Sequence, residues 1–148
     1  MAPVELVCGG QMKKILVVDD ERSIVAYLTA VLDDAGYDIC SAMDGVAGLQ
    51  VARKERPDLI CLDIMMPKRG GISLYTEIRR DEELQHLPVV FISAYSQVRD
   101  LRDPVAFRKM IPDGAIPHPN LCLEKPIKVP VFLEEVARLI DEAESVAS

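Results

Sequence analysis

The sequence lacks an apolar run long enough to cross a membrane. No stretch approaches the roughly 18 consecutive apolar residues that a membrane helix needs. The first ten residues carry no basic residue ahead of a short apolar part, so they do not match a signal peptide. These two absences predict a cytoplasmic protein that has no direct membrane partner.

Positive charge is also scarce. The chain has 17 lysines and arginines against 24 aspartates and glutamates, which gives a formal net charge of -7. Nucleic-acid backbones and anionic membranes are bound by basic surfaces. We therefore expect no direct nucleic-acid partner, and we favour protein partners or a metal ion.

The four cysteines show no Cys-x-x-Cys spacing of the kind that zinc and redox sites use. Three of the four lie in apolar, strand-like runs, where a free thiol packs as a small apolar side chain. The sequence favours free cysteines in a reducing compartment over disulfides or a metal site for Cys8, Cys40, Cys61 and Cys122.

Short apolar runs alternate with amphipathic stretches along the whole chain. The apolar runs predict strands over 13–18, 37–42, 59–62, 88–93 and 121–123. The stretches between them repeat apolar residues at helical spacing, and 148 residues suit a single domain. Because parallel strands need a helix to return the chain, this order predicts an α/β fold with helices on both faces of a parallel sheet.

The segment between the fourth and fifth predicted strands is rich in proline. Four prolines and an Asp-Gly pair exclude one long helix there, so the fourth helix should be short or displaced. Asp103 before Pro104 is typical of a helix start and predicts a short helix over 105–110. We expect a turn-rich loop over 112–120.

Polar side chains stand where the predicted strands end. Asp19 and Asp20 follow the first strand, Asp63 the third, Ser93 ends the fourth, and Lys125 follows the fifth. The carboxyl ends of parallel strands meet at one edge of the sheet, where ligands collect. Three adjacent carboxylates repel one another unless a cation lies among them, and oxygen ligands suit a hard divalent ion such as Mg2+.

Four motifs in this order resemble one known family. They are Lys14–Glu21 (KILVVDDE), Leu62–Pro67 (LDIMMP), Ile92–Ala94 (ISA) and Glu124–Pro126 (EKP). Together they resemble the receiver domain of bacterial two-component response regulators.

The resemblance covers about residues 13–144 and divides the chain. It leaves 1–12 as a disordered lead, with Met12 as a candidate start, and 145–148 as a tail. It implies a flavodoxin-like, doubly wound sheet of five parallel strands in the order 2-1-3-4-5, an order for which the chemotaxis receiver is a standard example.

The resemblance also implies a magnesium site. In the family pattern, the carboxylates of Asp20 and Asp63 and the backbone carbonyl of Met65 bind Mg2+ directly. In the same family pattern, Asp19 would reach the ion through a water molecule.

The phosphoryl site follows from the same resemblance. Asp63 would accept a phosphoryl group from the phosphohistidine of a histidine kinase or a histidine phosphotransfer protein. Lys125, the hydroxyl of Ser93 and the backbone N–H of Ala94 would contact the transferred group. In the family, an aromatic residue on the fifth strand moves with the hydroxyl; Cys122 stands at the matching position and has no ring.

Three functions remain open. The first is a stand-alone receiver, a signalling domain and not an enzyme, that contacts a downstream protein when Asp63 is phosphorylated. The second is a degenerate receiver that acts as an unphosphorylated interaction module. The third is a phosphatase with an aspartyl-phosphate intermediate, which we disfavour because that class resembles Asp-x-Asp after the first strand, whereas this chain has Asp19-Asp20-Glu21.

Overall fold

Five parallel strands form the centre of the molecule. The structure is a computed structural model, and it describes residues 12–64 and 70–147. The strands are β1 (Lys14–Val18), β2 (Asp38–Ala42), β3 (Leu59–Leu62), β4 (Val89–Ser93) and β5 (Leu121–Glu124). They form one sheet in the order β2-β1-β3-β4-β5, with every neighbouring pair parallel. The predicted flavodoxin-like fold and its strand order are confirmed.

Helices cover both faces of this sheet. In the described part of the chain they are α1 (Arg22–Asp34), α2 (Gly45–Glu55), α3 (Gly71–Arg80), α4 (Tyr95–Arg102), α5 (Pro104–Met110) and α6 (Val129–Ala147). Buried residues of α1 and α6 pack in one core cluster, and buried residues of α2 to α5 pack in the other. None of these helices is long and apolar enough to span a bilayer.

Alternate residues of the central strand face opposite clusters. On β1, Ile15 and Val17 belong to the cluster under α1 and α6, whereas Leu16 and Val18 belong to the other. All four are at most 1% exposed, which explains why the strand is apolar without interruption. Because both faces are buried, the register is fixed, and the residue after Val18 must lie at the carboxyl edge of the sheet.

Local signals in the sequence set most helix ends. Asp44 precedes α2, and its carboxylate accepts a hydrogen bond of 2.9 Å from the N–H of Ala47. Gly36 follows α1 with φ of +97°, a left-handed conformation that glycine adopts without strain. Aspartate before a helix and glycine after one are the signals by which the sequence marks the start of α2 and the end of α1.

The third helix is shorter than its pattern predicts. The sequence favours a helix that extends close to Leu84, but α3 ends at Arg80. The carboxylate of Asp81 accepts hydrogen bonds of 2.8 Å from the N–H of Glu83 and 3.3 Å from the N–H of Leu84. These bonds stabilise a turn instead of another helical turn.

The proline-rich segment contains two short helices. As predicted, α4 is short, with eight residues, and α5 begins at Pro104 after Asp103, whose carboxylate accepts a 3.1 Å hydrogen bond from the N–H of Ala106. The sequence had not predicted the bounds of α4. Residues 111–120 form the predicted loop without helix or strand.

This segment is packed into the core and does not project from it. Phe107 is fully buried, and Ile111 and Ile116 are 3% and 2% exposed in the cluster that includes α2 to α4. The guanidinium of Arg108 donates to the carbonyls of Ile111, Asp113 and Ile116. The residues between β4 and β5 are therefore packed and hydrogen-bonded as part of the domain.

The start of α3 lies against the backbone that follows β3. A Cβ atom built on Gly71 would be 2.0 Å from the carbonyl oxygen of Asp63, and the N–H of Gly71 donates a 3.0 Å hydrogen bond to the carbonyl of Ile64. No other residue type fits this contact without moving the backbone. Gly71 therefore holds α3 close to Asp63.

Replacing Phe107 tests whether the segment belongs to the core. We expect Phe107→Ala to lower the free energy of unfolding by about 3–5 kcal/mol, because a fully buried aromatic ring leaves a cavity. Urea denaturation measures this change. Val105→Ala on the same helix is the control, since Val105 is 63% exposed and should change stability by less than about 0.5 kcal/mol. Equal effects of the two substitutions would contradict this packing.

Replacing Gly71 tests the close approach of α3. Gly71→Ala should lower the free energy of unfolding by about 1–3 kcal/mol, because the added methyl overlaps backbone atoms of Asp63. Gly114→Ala is the matched control, because no atom lies within 4 Å of the position its Cβ would take. A Gly71→Ala variant with an unchanged denaturation midpoint would show that the contact is wrong.

Candidate functional site

The predicted polar residues meet at the carboxyl edge of the sheet. Two backbone hydrogen bonds extend the strand pairing into this edge, from Asp63 N–H to the Val18 carbonyl at 3.0 Å and from Lys125 N–H to the Ser93 carbonyl at 2.9 Å. The side chains brought together are those of Asp19, Asp20, Asp63, Ser93 and Lys125. This agrees with the placement expected from the sequence.

Three of these residues form an acidic cluster. Asp19, Asp20 and Asp63 each offer a carboxylate oxygen, and the three oxygens lie within 4.8 Å of one another. Asp19 is 2% and Asp63 is 6% exposed, whereas Asp20 is exposed. The cluster therefore opens to solvent on the side of Asp20, and its oxygen-only donor set suits a hard divalent cation.

The surroundings of the two buried carboxylates, those of Asp19 and Asp63, raise their pKa values. Burial raises the pKa of Asp63, and Asp20 adds to the rise, although the Ser93 hydroxyl and the Lys125 ammonium act against it. Burial also raises the pKa of Asp19, and the Asp63 carboxylate contributes in the same direction. Since both pKa values lie above the ordinary value, a further cation would stabilise the ionised cluster.

The ammonium of Lys125 faces this cluster. Its Nζ lies 3.2 Å from an Asp19 carboxylate oxygen, 3.4 Å from a Glu21 oxygen and 3.9 Å from Oδ1 of Asp63. Burial lowers the pKa of this ammonium, but the attraction of Asp63 and Asp19 outweighs that effect and raises it. Lys125 therefore stays protonated and bridges β5 to the carboxylates that follow β1 and β3.

Ser93 connects β4 to the Asp63 carboxylate. Its side chain is fully buried, and its hydroxyl donates a hydrogen bond of 2.5 Å to Oδ1 of Asp63. The same oxygen of Ser93 accepts a 2.9 Å hydrogen bond from the N–H of Ile64. The hydroxyl proton is therefore directed at the carboxylate, and the orientation of Asp63 is fixed.

The backbone N–H of Ala94 lies directly after Ser93, at the start of α4. It donates a hydrogen bond of 3.1 Å to the side-chain Oε1 of Gln97. Ala94 itself is an exposed residue.

Of the predicted residues that the structure describes, Cys122 does not join this group. Met65 lies outside the described residues. Cys122 is 6% exposed and packs in the core cluster that includes Phe91, where burial raises the pKa of its thiol to about 11. Its backbone carbonyl accepts a hydrogen bond of 2.5 Å from the guanidinium of Arg102, at the end of α4. Cys40 and Cys61 are also free thiols.

Sequence reasoning missed two contacts at the site. Glu21 precedes α1, as charge at a helix start does, and its carboxylate also pairs with Lys125. The acidic run Asp19-Asp20-Glu21 was a signal for this pairing. Gln97 caps the Ala94 amide from the third position of α4, and nothing in the apolar pattern indicated that contact.

The arrangement combines a nucleophilic oxygen with groups that neutralise negative charge. Asp63 supplies a fixed carboxylate, Lys125 a permanent positive charge, and Ser93 a hydroxyl donor. Such a combination is suited to receiving an anionic, electrophilic group at a carboxylate oxygen.

Comparison with known proteins agrees with this geometry. Residues 15–109 match the family model of the response regulator receiver domain. The transcriptional regulator ycf27 of Porphyridium aerugineum is 34% identical over 135 residues, which are 91% of this chain and 52% of that protein. The polar-differentiation response regulator DivK of Brucella anthropi is 28% identical over 131 residues, which are 88% of this chain and 98% of that protein.

A solved structure shares the fold. The chemotaxis protein CheY4 of Vibrio cholerae aligns with a TM-score of 0.72 and 27% identity, and the alignment covers 87% of this chain and 99% of that one. In contrast, the chain spans only 36% to 52% of the length of three transcriptional regulators that it matches. The relatives therefore share this domain, and longer ones have additional sequence. The family match over residues 15–109, with the strand order and the acidic edge, shows that this chain belongs to the response regulator receiver domain family.

Proposed function

We propose that this chain is a phosphoacceptor in two-component signalling, with Asp63 as the residue that is phosphorylated. The donor is the phosphohistidine of a histidine kinase or a histidine phosphotransfer protein. An oxygen of Asp63 attacks the phosphorus, the P–O bond forms as the P–N bond breaks, and the released imidazole takes up a proton. The chain acts in the cytoplasm as a signalling domain and not as a turnover enzyme.

The residues around Asp63 support this transfer by position and charge. Lys125 stands 3.9 Å from Oδ1 of Asp63 and would contact a phosphoryl oxygen attached to that side chain. The Ser93 hydroxyl, which now donates to Asp63, would donate to a phosphoryl oxygen, and the Ala94 N–H would supply a second donor. Because a transferring phosphoryl group spreads negative charge over three oxygens, such fixed donors stabilise it.

Magnesium fits the acidic cluster. We assign Asp20 and Asp63 as direct ligands, the backbone carbonyl of Met65 as a third, and Asp19 as a ligand through water. The closeness of the three carboxylates and the raised pKa values of Asp19 and Asp63 support a cation there. When bound, Mg2+ would neutralise charge on the transferring group.

Phosphorylation would signal by changing a protein-binding surface. The phosphoryl group adds nearly two negative charges and three acceptors, which would draw Ser93 and Lys125 away from their present partners. Those residues lie at the ends of β4 and β5, so the change would reach the neighbouring surface. Cys122 has no ring to transmit it, and the Arg102 bond to the Cys122 carbonyl ties α4 to β5 instead. A downstream protein would bind this surface.

One observation carries the proposal: a buried carboxylate, that of Asp63, is shared between a hydroxyl donor at 2.5 Å and an ammonium at 3.9 Å, beside two further carboxylates. A strand-end aspartate with a purely structural role would not need both an acidic cluster and a lysine from another strand.

Labelling with radioactive acetyl phosphate tests the proposal. The wild-type chain should become labelled only with Mg2+ present, and Asp63→Asn should fall to background, because the amide is not a nucleophile. Asp34→Asn is the matched control, since Asp34 is exposed at the end of α1, away from the carboxyl edge. It should label like the wild type.

Equal labelling of the wild type and Asp63→Asn would contradict the assignment of Asp63. A wild-type chain that is labelled neither by acetyl phosphate nor by a phosphorylated kinase would overturn the proposal and favour an unphosphorylated interaction module.

A further inference from the structure

The backbone N–H of Ala94 already has an acceptor in the structure. It donates to Oε1 of Gln97 at 3.1 Å. Under the proposed function, this same N–H donates to a phosphoryl oxygen. An amide has a single proton, so the carboxamide of Gln97 and a phosphoryl oxygen compete for it.

The backbone of Gln97 is held in place by helix hydrogen bonds, and its side chain lies at the helix surface. The N–H groups of Gln97 and Val98 both donate to the Ala94 carbonyl at 3.1 Å, which forms the first turn of α4. Val98 and Leu101 anchor the helix in the core, each 1% exposed. Gln97 is half-buried at the helix surface, so rotation of its side chain alone would release the amide.

The hydrogen bond from the Ala94 N–H to the Gln97 side chain is not matched by a bond from the Gln97 N–H to the side chain of residue 94. In a full capping box, the side chain of the residue before the helix also accepts a hydrogen bond, but Ala94 has no polar side chain. Gln97 therefore caps one amide only, and that amide is the one next to Ser93. An anion at the same position would satisfy it more strongly, because charged acceptors make stronger hydrogen bonds and the start of a helix favours negative charge.

We propose that Gln97 is a positioning residue that competes with the phosphoryl group for the Ala94 N–H and so lowers the affinity of the site for that group. This inference rests on the proposed function. In the unphosphorylated chain the carboxamide occupies the amide; on phosphorylation a charged oxygen displaces it. Gln97 thus lowers the stability of the phosphorylated arrangement, without contacting the reacting atoms.

Beryllofluoride binding tests the competition, because this phosphoryl mimic binds an aspartate carboxylate and offers fluorine acceptors in place of oxygens. Affinity is measured by isothermal titration calorimetry on the full chain with saturating Mg2+. Gln97→Met keeps the length of the side chain but removes the acceptor, and it should tighten binding by about threefold to tenfold, the equivalent of one neutral hydrogen bond. Gln97→Glu keeps the acceptor and adds charge, so it should weaken binding.

Two further measurements separate competition from a structural effect. Ser96→Ala, at an exposed position on the same helix, should bind beryllofluoride like the wild type. In the ligand-free chain, the Ala94 amide resonance should move on Gln97→Met, whereas in the beryllofluoride complex it should match that of the wild type. Circular dichroism shows whether each variant is folded.

The outcomes distinguish the inference from the function on which it rests. If the wild type binds beryllofluoride and both Gln97 variants bind equally well, or both bind more weakly, Gln97 does not compete and the inference is wrong. If Gln97→Met does not fold, an unchanged affinity in Gln97→Glu overturns it equally. If the wild type and Asp63→Asn show the same binding or none, the proposed function fails instead.

Discussion

Repulsion among three carboxylates is the constraint on which this edge of the molecule depends. Asp19 and Asp63 are almost completely buried, and burial raises the pKa of both. Among the described residues, the ammonium of Lys125 offsets part of this charge by contacting both carboxylates. Within that part of the chain, one ammonium faces three carboxylates, which accounts for the expected attraction of the site for a divalent cation.

The fold creates this constraint because it brings distant segments to one edge. Lys125 and Asp19 are 106 residues apart in sequence, yet their side chains are 3.2 Å apart. The parallel sheet joins them, since every strand ends on the same side. The close approach of Gly71 to the backbone of Asp63 then fixes where α3 begins beside the acidic cluster.

Much of this could be predicted from the sequence, because both faces of the central strands β1, β3 and β4 are buried and these strands are therefore nearly continuous apolar runs. The polar residues at strand ends, from Asp19 to Lys125, were recognisable because they follow or close short apolar runs. The sequence did not predict contacts between side chains and backbone groups outside the regular pairing of helices and strands. The contacts of Gln97 with the Ala94 amide, of Arg102 with the Cys122 carbonyl and of Arg108 with nearby carbonyls leave no periodic pattern in the sequence. His118 shows the same limit: it is an exposed residue of the loop between α5 and β5, and its ring stacks on Phe107 with centroids 4.1 Å apart.

Magnesium binding tests the central claim most directly. Calorimetric titration of the chain with MgCl2 should show binding to the wild type and to the Asp34→Asn control. Asp20→Asn should weaken that binding by at least the roughly 10–100-fold that loss of an outer-sphere partner typically causes, because a direct ligand is removed. Binding of Mg2+ to Asp20→Asn with wild-type affinity would contradict the account, since the ion would then be held away from the acidic edge of the sheet.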